Sequence, residues 1–212
     1  MKRVLILVTA LVAVAVLAPT AIASGRQVTI YYDSRVNLIP WYPAYFPDGC
    51  RCQMLFDQAK INYAGTINEF ELQKSDTSTA SVTNARFYLC HTNLSALTSN
   101  FQNNYAGNTP VLVASYTNYT VPARAGYYPV PMTSTFTYNN RDNLILEVRF
   151  DKITGSSCGV VHGVQTGYRC WARSPTATTG TSSNVAYNAR ISFSYYSAVS
   201  PASLGRVKTL FR

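Results

Sequence analysis

Runs of alternating apolar and polar residues, separated by turn residues, constrain the fold of this chain more than any other feature. The clearest run is NLILEVRF at 143–150, which follows the turn sequence NNRDN. Successive side chains of a β-strand point to opposite faces. Four apolar residues therefore share one face: Leu144, Leu146, Val148 and Phe150. The other face carries Ile145, Glu147 and Arg149, and we expect it to lie mostly in solvent.

The same alternation recurs in NARISFSYY at 188–196, whose inward residues are Ala189, Ile191, Phe193 and Tyr195. Shorter runs fill most of the chain, and one segment, NLSALTSNF at 93–101, suits a short helix capped by Thr92 or Asn93. The pattern predicts an all-β fold, a two-sheet antiparallel β-sandwich with at most one short helix. We favour a jelly-roll-like arrangement, because an immunoglobulin domain needs only about 100 residues.

The N-terminus has the organisation of a secretory signal peptide. The basic start MKR precedes the apolar run VLILVTALVAVAVLA, and AIAS offers a cleavage site after Ala23. An apolar run of about 15 residues is short for a membrane anchor, so we predict a secreted protein, extracellular or at the cell surface, without a membrane span. The predicted organisation is a signal peptide (1–23), an N-terminal strand with a proline-rich aromatic loop (24–49), the sandwich (50–197) and a basic tail (198–212).

Charged residues are scarce, because Asp, Glu, Lys and Arg make up 13% of the chain, against about 25% in ordinary soluble domains. The formal net charge is +9, but the basic residues are scattered. Nucleic-acid-binding proteins usually concentrate them on one face, so we predict that nucleic acid is not a partner. A surface rich in Ser, Thr, Asn and Tyr suits contact with glycans or with further copies of the chain.

Acidic and nucleophilic side chains form no recognisable catalytic pattern. A glycosidase needs two carboxyl groups facing each other across the sugar, and the best-spaced pair, Glu69 and Glu71, shares one strand face. Acidic pairs of this kind are more common on solvated strands. The chain has no G-x-S-x-G sequence, and only His91 and His162 are available as bases. We therefore expect no catalytic residues and no enzymatic activity.

Metal-binding patterns are equally weak. The five cysteines include no C-x-x-C pair, which argues against the usual zinc site. Oxygen-bearing side chains gather in the turn before residue 144: Asn139, Asn140, Asp142 and Asn143. Such a set suits calcium, but Asn and Asp in turns more often bond their own backbone. We expect no metal and no cofactor.

The cysteines of a secreted chain are expected to form disulfides. Cys158 and Cys170 flank GVVHGVQTGYR, and a hairpin turning at GVQTG would bring them opposite one another. We predict that these two are bonded. Cys50 and Cys52 point to the same side of one strand, so either could reach Cys90. We favour Cys52–Cys90, which leaves one cysteine free or bonded to another chain.

The stretch IPWYPAYFP at 39–47 places aromatic side chains between stiffening prolines: Trp41, Tyr42, Tyr45 and Phe46. We predict that they form a contact surface. A rigid aromatic surface can stack on sugar rings or fill a pocket of a neighbouring copy. The alternative is a loop folded over the end of the sandwich as a lid on the core.

Two sequons, beginning at Asn93 and Asn118, are possible glycosylation sites where the host has the machinery. The tail SPASLGRVKTLFR at 200–212 places apolar residues at helical spacing beside basic ones: Leu204, Val207 and Leu210 or Phe211. It is interpreted equally as a sorting tail, a docking peptide or a disordered end.

Four stretches of strand and turn sequence resemble a group of secreted jelly-roll β-sandwich proteins of environmental bacteria. They are LCHTNLSALTSNFQNNYAGNTPVLV, YTVPA, STFTYNNRDNLILEVRF and SPTATTGT, and the resemblance covers most of residues 50–196. Some jelly-roll proteins of this secreted type polymerise into extracellular filaments or tubes by lending a strand to a neighbour. The resemblance implies the same behaviour for this chain.

These observations favour a secreted structural protein that assembles with itself into an extracellular filament, tube or surface layer. The predicted assembly strand is QVTIYY at 27–32, with Val28, Ile30 and Tyr32 on one face. A terminal strand of this kind pairs either with its own sheet or with the open edge of a neighbour. The alternative function is a carbohydrate-binding or adhesive module, and the third is a glycoside-active enzyme.

Overall fold

The computed structural model describes residues 25–130 and 132–194. The predicted signal peptide (1–23) and basic tail (198–212) lie outside the described residues. Within the described ranges, two antiparallel β-sheets pack against each other and one short α-helix is present. The predicted class, an all-β two-sheet antiparallel sandwich with at most one short helix, is confirmed.

The regular elements follow one another in short steps along the chain. The strands are β1 (Arg26–Ile30), β2 (Arg35–Asn37), β3 (Cys50–Phe56), β4 (Gly65–Lys74), β5 (Ala80–Thr92), β6 (Val111–Thr120), β7 (Gly126–Val130), β8 (Phe136–Tyr138), β9 (Asn143–Phe150), β10 (Lys152–Gly155), β11 (Val160–Gly163), β12 (Arg169–Ala172), β13 (Thr181–Ser183), β14 (Ala186–Tyr187) and β15 (Ala189–Ser194). The α-helix α1 (Gln58–Ile61) follows β3, and a 3-10 helix (Asn103–Tyr105) precedes β6.

The first sheet is organised around β4, its longest strand. One side of β4 pairs with β15, and the other side pairs with β7 and β8. Beyond β15 lies β1, and β2 pairs with β11. Residues 26–37 therefore form one edge of this sheet, and β7 and β8 form the opposite edge.

The second sheet has the order β6–β5–β9–β3–β12–β13, and β10 pairs with β5 beyond the end of β9. Its inner strand β3 is buried at every residue, so both faces of the sheet centre are covered. The edge strand β6 lies next to β7 of the first sheet, because the Tyr119 hydroxyl donates to the Pro129 carbonyl at 3.4 Å. β13 forms the other edge.

The main hydrophobic core lies between the sheets and receives alternate residues of the central strands. β9 contributes the four residues that the alternation assigned to one face, Leu144, Leu146, Val148 and Phe150. β15 contributes Ala189, Ile191 and Phe193, as predicted, and the fourth residue of that predicted face, Tyr195, lies outside the described residues. From β3, Cys50, Cys52, Met54 and Phe56 enter the same core.

The opposite face of the second sheet is also covered, so the expectation that Glu147 and its neighbours face solvent is wrong. Residues 93–109, here called the covering segment, lie across it. A second apolar cluster forms beneath: Leu55, Cys90, Leu97, Phe101, Tyr105, Ile145, Tyr168, Cys170 and Ala186. The helix predicted at 93–101 is absent, because the Leu97 and Phe101 amides donate to the carbonyls of Gly167 and Thr178 at 2.7 and 3.1 Å.

Glu147 lies fully buried under the covering segment and accepts hydrogen bonds from four side chains. The Arg51 Nε lies 3.0 Å from its Oε1, and the Gln53 Nε2 lies 2.6 Å from its Oε2. Arg149 and the Tyr105 hydroxyl also donate to the carboxylate. Burial and the adjacent carboxylate raise the pKa of Tyr105 to about 12, so this hydroxyl stays a donor.

The same donors fasten the covering segment to the sheet. Arg51 donates from Nη1 to the Ala177 carbonyl at 2.7 Å, and its guanidinium lies 4.4 Å from the centroid of the Phe101 ring. The Gln53 Oε1 accepts from the Asn104 side chain at 2.8 Å. A charged network therefore holds a polar, loop-rich segment against the sheet.

Replacing Glu147→Gln should destabilise the fold severely, because the guanidinium groups of Arg51 and Arg149 lose their shared counter-charge. Removing one partner of a buried ion pair costs about 3–5 kcal/mol. We expect a loss of that order in the free energy of unfolding measured by urea denaturation.

The matched control is Asp151→Asn, which removes a carboxylate from an exposed pair with Arg86 at 3.1 Å. Exposed pairs contribute less than about 1 kcal/mol. Equal losses in the two variants would show that the Glu147 network does not carry the covering segment.

Candidate interaction site

Two of the four predicted contact residues belong to the core. Trp41 and Phe46 are fully buried, so the prediction that they form a contact surface is wrong. The Trp41 indole Nε1 donates to the Tyr128 hydroxyl at 2.6 Å and its ring stacks on Phe150. The loop 38–49 connects β2 of the first sheet to β3 of the second sheet. Its Trp41 and Phe46 cover the core between the sheets, which is the alternative lid arrangement.

The other two loop residues remain half-buried at the surface. The rings of Tyr42 and Tyr45 stack with centroids 5.8 Å apart and an interplanar angle of 13°. The guanidinium of Arg173, just after β12, lies 3.7 Å from the centroid of the Tyr45 ring. We call Tyr42, Tyr45 and Arg173 the aromatic patch.

A shallow pocket of about 280 Å³ adjoins the aromatic patch. Its lining is mostly apolar: Val36, Asn37, Leu38, Ile39, Tyr42 and Tyr45. Asn37 is its one amide, and the Asn37 Oδ1 already accepts from the Ile39 amide at 2.9 Å and from Arg169 at 2.8 Å. Arg173 was missed from the sequence, because only the tertiary fold brings it onto Tyr45.

The predicted assembly strand pairs within its own chain. β1 pairs with β15 at five register positions, and Val28 and Ile30 lie in the main core. Tyr32 follows the strand, and its amide donates to the Asn188 Oδ1 at 2.8 Å. Gly163 of β11 allows Tyr32 to pack directly against β11, because a Cβ at position 163 would lie 2.5 Å from the Cβ of Tyr32. Of the two arrangements open at the sequence level, the structure shows the intrachain one.

β6 is the other long edge strand, and it is not among the contact residues predicted from the sequence. It pairs with β5 alone among the described strands. Its sequence VLVASYTNYT contains no charged residue, and Val111 and Leu112 are 42% and 44% exposed. The lack of charged residues in this strand is visible in the sequence alone and could have identified it as a candidate interaction edge.

The acidic pair Glu69 and Glu71 is engaged in structural contacts. Glu71 is buried and lies 3.5 Å from Arg190 and 3.7 Å from Arg124. Glu69 accepts from the Ser192 hydroxyl at 3.1 Å. Both carboxylates therefore stabilise the outer face of the first sheet.

The two histidines lie apart in the fold. His91 of β5 stacks on Tyr138, and its Nε2 accepts from the Asn139 backbone amide at 3.3 Å. Burial lowers the pKa of His91, because it disfavours the imidazolium form. His162 of β11 is buried, and its Nδ1 lies 2.7 Å from the Gly163 carbonyl oxygen.

The turn considered for calcium uses its side-chain oxygens internally. The Asn139 Oδ1 accepts from the amides of Arg141 and Asp142 at 2.9 and 3.1 Å, and the Asn139 Nδ2 donates to the Asp142 Oδ2. The Asn143 Oδ1 accepts from the Gln58 amide at 2.7 Å, and the Asn140 Oδ1 accepts from the Gln58 side chain at 2.9 Å. Across the described ranges, no group of three His, Cys, Asp or Glu residues is arranged to hold a metal.

All five cysteines are free and buried, so the predicted disulfides are absent from the structure. Cys158 precedes β11 in the first sheet, whereas Cys170 lies in β12 of the second sheet, opposite Gln53. The hairpin that would join them does not form. Cys52 faces the main core and Cys90 faces the second cluster, so the sheet itself separates those two thiols.

Both sequon asparagines, Asn93 and Asn118, are exposed. No helix in the part of the chain that the structure describes is long and apolar enough to cross a membrane. Comparison with known protein families finds no matching family model, and comparison with curated proteins finds no match. The resemblance to secreted β-sandwich proteins therefore stays a prediction.

We expect the native protein to react negligibly with a thiol reagent such as DTNB and to show five reactive thiols after denaturation without reductant. Burial raises the pKa of Cys52, Cys90 and Cys170 to about 12, so the reactive thiolate is scarce as well as inaccessible. Non-reducing peptide mapping is the control, and a linked 158–170 peptide would contradict the structure.

Acid should destabilise the protein through His91. An imidazole whose folded-state pKa is lowered contributes stability that is present above the unfolded value of about 6.5 and lost as pH falls through the folded value. Protonation also removes the Nε2 lone pair that accepts from Asn139. We expect the free energy of unfolding to fall between pH 7.5 and pH 5, and His91→Gln to reduce that fall. An unchanged pH dependence in the variant would rule His91 out.

Proposed function

We propose that the protein is a secreted structural subunit that associates with further copies of itself outside the cell through the free edge of β6. One observation carries the proposal, the coincidence on this strand of length, lack of charge and apolar exposure. β6 spans ten residues without a charged residue or a proline, and its first two residues, Val111 and Leu112, are both exposed.

An edge of this kind is a template for another strand. Its outward N–H and C=O groups have no strand partner among the described residues, and natural edges are usually blunted by charge, proline, bulges or a covering loop. A bulge at Val113 is present, and its carbonyl accepts from the amides of Thr133 and Ser134 at 2.7 and 3.1 Å. These two hydrogen bonds occupy the Val113 carbonyl and divide the edge of β6 in two. Residues 115–120 are the longer of the two free stretches.

The second exposed edge, residues 26–37 of the first sheet, lies on the opposite side of the sandwich from β6. A contact between β6 of one copy and this edge of the next is heterologous, so it repeats head to tail and produces an open filament unless the rotation closes a ring. Pairing of β6 with β6 of a second copy produces a closed dimer. The filament, tube or layer expected from the sequence requires the heterologous contact.

Sequence features support the same proposal. The predicted signal peptide places the chain outside the cell, and the sparse charge and many tyrosines suit lasting contact between copies. Among the described residues, the carboxylates and histidines considered for catalysis are engaged in structural contacts.

Thr117→Lys should weaken association, because it places a charge within residues 115–120, the longer free stretch of the β6 edge, where a strand would add. We expect the mature protein, residues 24–212, to associate with rising concentration in sedimentation velocity and to form elongated particles in electron micrographs. The variant should need a roughly tenfold higher concentration for the same association.

Thr77→Lys is the matched control, because Thr77 is also exposed and lies in the turn between β4 and β5, outside both β6 and residues 26–37. It should associate like the unmodified protein. A chain that stays monomeric at every concentration, or equal effects of both lysines, would overturn the proposal.

A second variant separates edge association from donation of β1. Gln27 and Ser192 are register partners whose side chains are 3.3 Å apart, so Gln27→Cys with Ser192→Cys allows a disulfide that holds β1 in its own sheet. Association through β6 should persist in the oxidised variant. If locking abolishes assembly, the donated strand is β1 and the β6 proposal is wrong.

A further inference from the structure

We infer that the aromatic patch and its pocket form a binding site for an acidic saccharide, one that carries carboxylate or sulfate groups on a sugar chain. The site lies on loop 38–49 and after β12 and uses no residue of β6, although Val36 and Asn37 of its pocket also belong to the edge 26–37. The inference rests on the chemistry of these residues and not on self-association.

The first element is an unpaired cation. Arg173 is exposed, and among the described residues its side chain forms no ion pair or hydrogen bond; its one contact is the stacking on Tyr45 at 3.7 Å. Asp48, the only carboxylate of loop 38–49, pairs with neither Arg173 nor Arg169 within the same residues. A guanidinium that lies over an aromatic ring keeps the N–H groups in its own plane free to bind an anion.

The second element is a buried cation behind the pocket. Arg169 is 5% exposed, and its guanidinium donates to neutral groups only: the Ser183 hydroxyl, the Asn37 amide oxygen and the Tyr187 hydroxyl. Buried charges are usually paired with an opposite charge. This one has no carboxylate partner among the described residues, and it lies directly behind Asn37 of the pocket lining.

The third element is the set of aromatic groups. The stacked rings of Tyr42 and Tyr45 offer an apolar surface beside the pocket, and their hydroxyls have no hydrogen-bond partner among the described residues. Tyrosine presents an apolar ring and a polar tip, which suits the alternating apolar and hydroxyl surfaces of a sugar. Neutral sugars alone would leave two cations uncompensated, so the charges select an acidic saccharide.

Trp171 provides a spectroscopic reporter for binding. It is half-buried, and its ring lies 5.3 Å from Tyr45 and 5.8 Å from Phe46 between the patch and the core. The second tryptophan, Trp41, is fully buried. A ligand on the aromatic patch should therefore change the emission of Trp171 in particular.

The test uses three tetrasaccharides of equal length in 150 mM salt: galacturonate, a sulfated galactan and neutral galactan. Short ligands reduce the non-specific attraction of a basic protein to long polyanions. We expect saturable binding of at least one acidic tetrasaccharide by titration calorimetry, with a matching change in tryptophan fluorescence, and at least tenfold weaker binding of the neutral one. The two acidic arms show whether carboxylate or sulfate is preferred.

Arg173→Gln and Tyr42→Ala should each weaken binding about tenfold, because they remove a charge-assisted contact and a stacking surface. Arg141→Gln is the matched control: Arg141 is exposed, and its side chain also forms no ion pair among the described residues. Both altered positions lie at the surface, and circular dichroism checks that each variant is folded.

Absence of binding to either acidic tetrasaccharide would overturn the inference. Equal binding of the neutral sugar, or equal loss in the Arg141 variant, would also overturn it, because either result shows that the patch does not select the anion. Repeating the titration with Thr117→Lys separates the two proposals, since binding should be unchanged in that variant.

Discussion

The burial of the Glu147 carboxylate is the interaction on which the second sheet depends. A strand face that carries charged residues normally lies in solvent. Here two guanidinium groups, an amide and a phenol donate to one carboxylate, and their hydrogen bonds allow that face to be covered. Breaking a buried pair is costly, so the contacts of Arg51 and Gln53 with Phe101 and Asn104 hold the covering segment against the sheet. β6 begins just beyond this segment, and the network therefore also positions the free edge.

The alternation of side chains predicts which residues of β9 and β15 enter the main core, because this property is local to a strand. It does not predict what covers the other face. Glu147 and Arg149 are polar residues typical of a solvent-facing side, and their burial depends on Arg51 and Gln53 of a distant strand. The helix expected at 93–101 fails for the same reason, since Leu97 and Phe101 find tertiary partners for their amides.

The predicted sites show the same division between local and tertiary information. The hairpin proposed for Cys158 and Cys170 does not exist, because the chain changes sheet between them. In the aromatic loop, the sequence identifies a rigid cluster but cannot tell that Trp41 and Phe46 turn inward while Tyr42 and Tyr45 stay at the surface. Arg173 completes the patch from a segment more than a hundred positions away, which a pattern in one sequence does not reveal.

The pairing of the first strand with the last one has a consequence for how the chain reaches its folded state. β1 finds its partner only when residues 189–194 are available, so the first sheet stays incomplete until the whole domain has emerged from the ribosome or a translocation channel. Long-range strand pairing of this kind is slow to form. The export that the sequence predicts would suit this order of folding, because a chain whose first sheet is still open can be threaded through a channel.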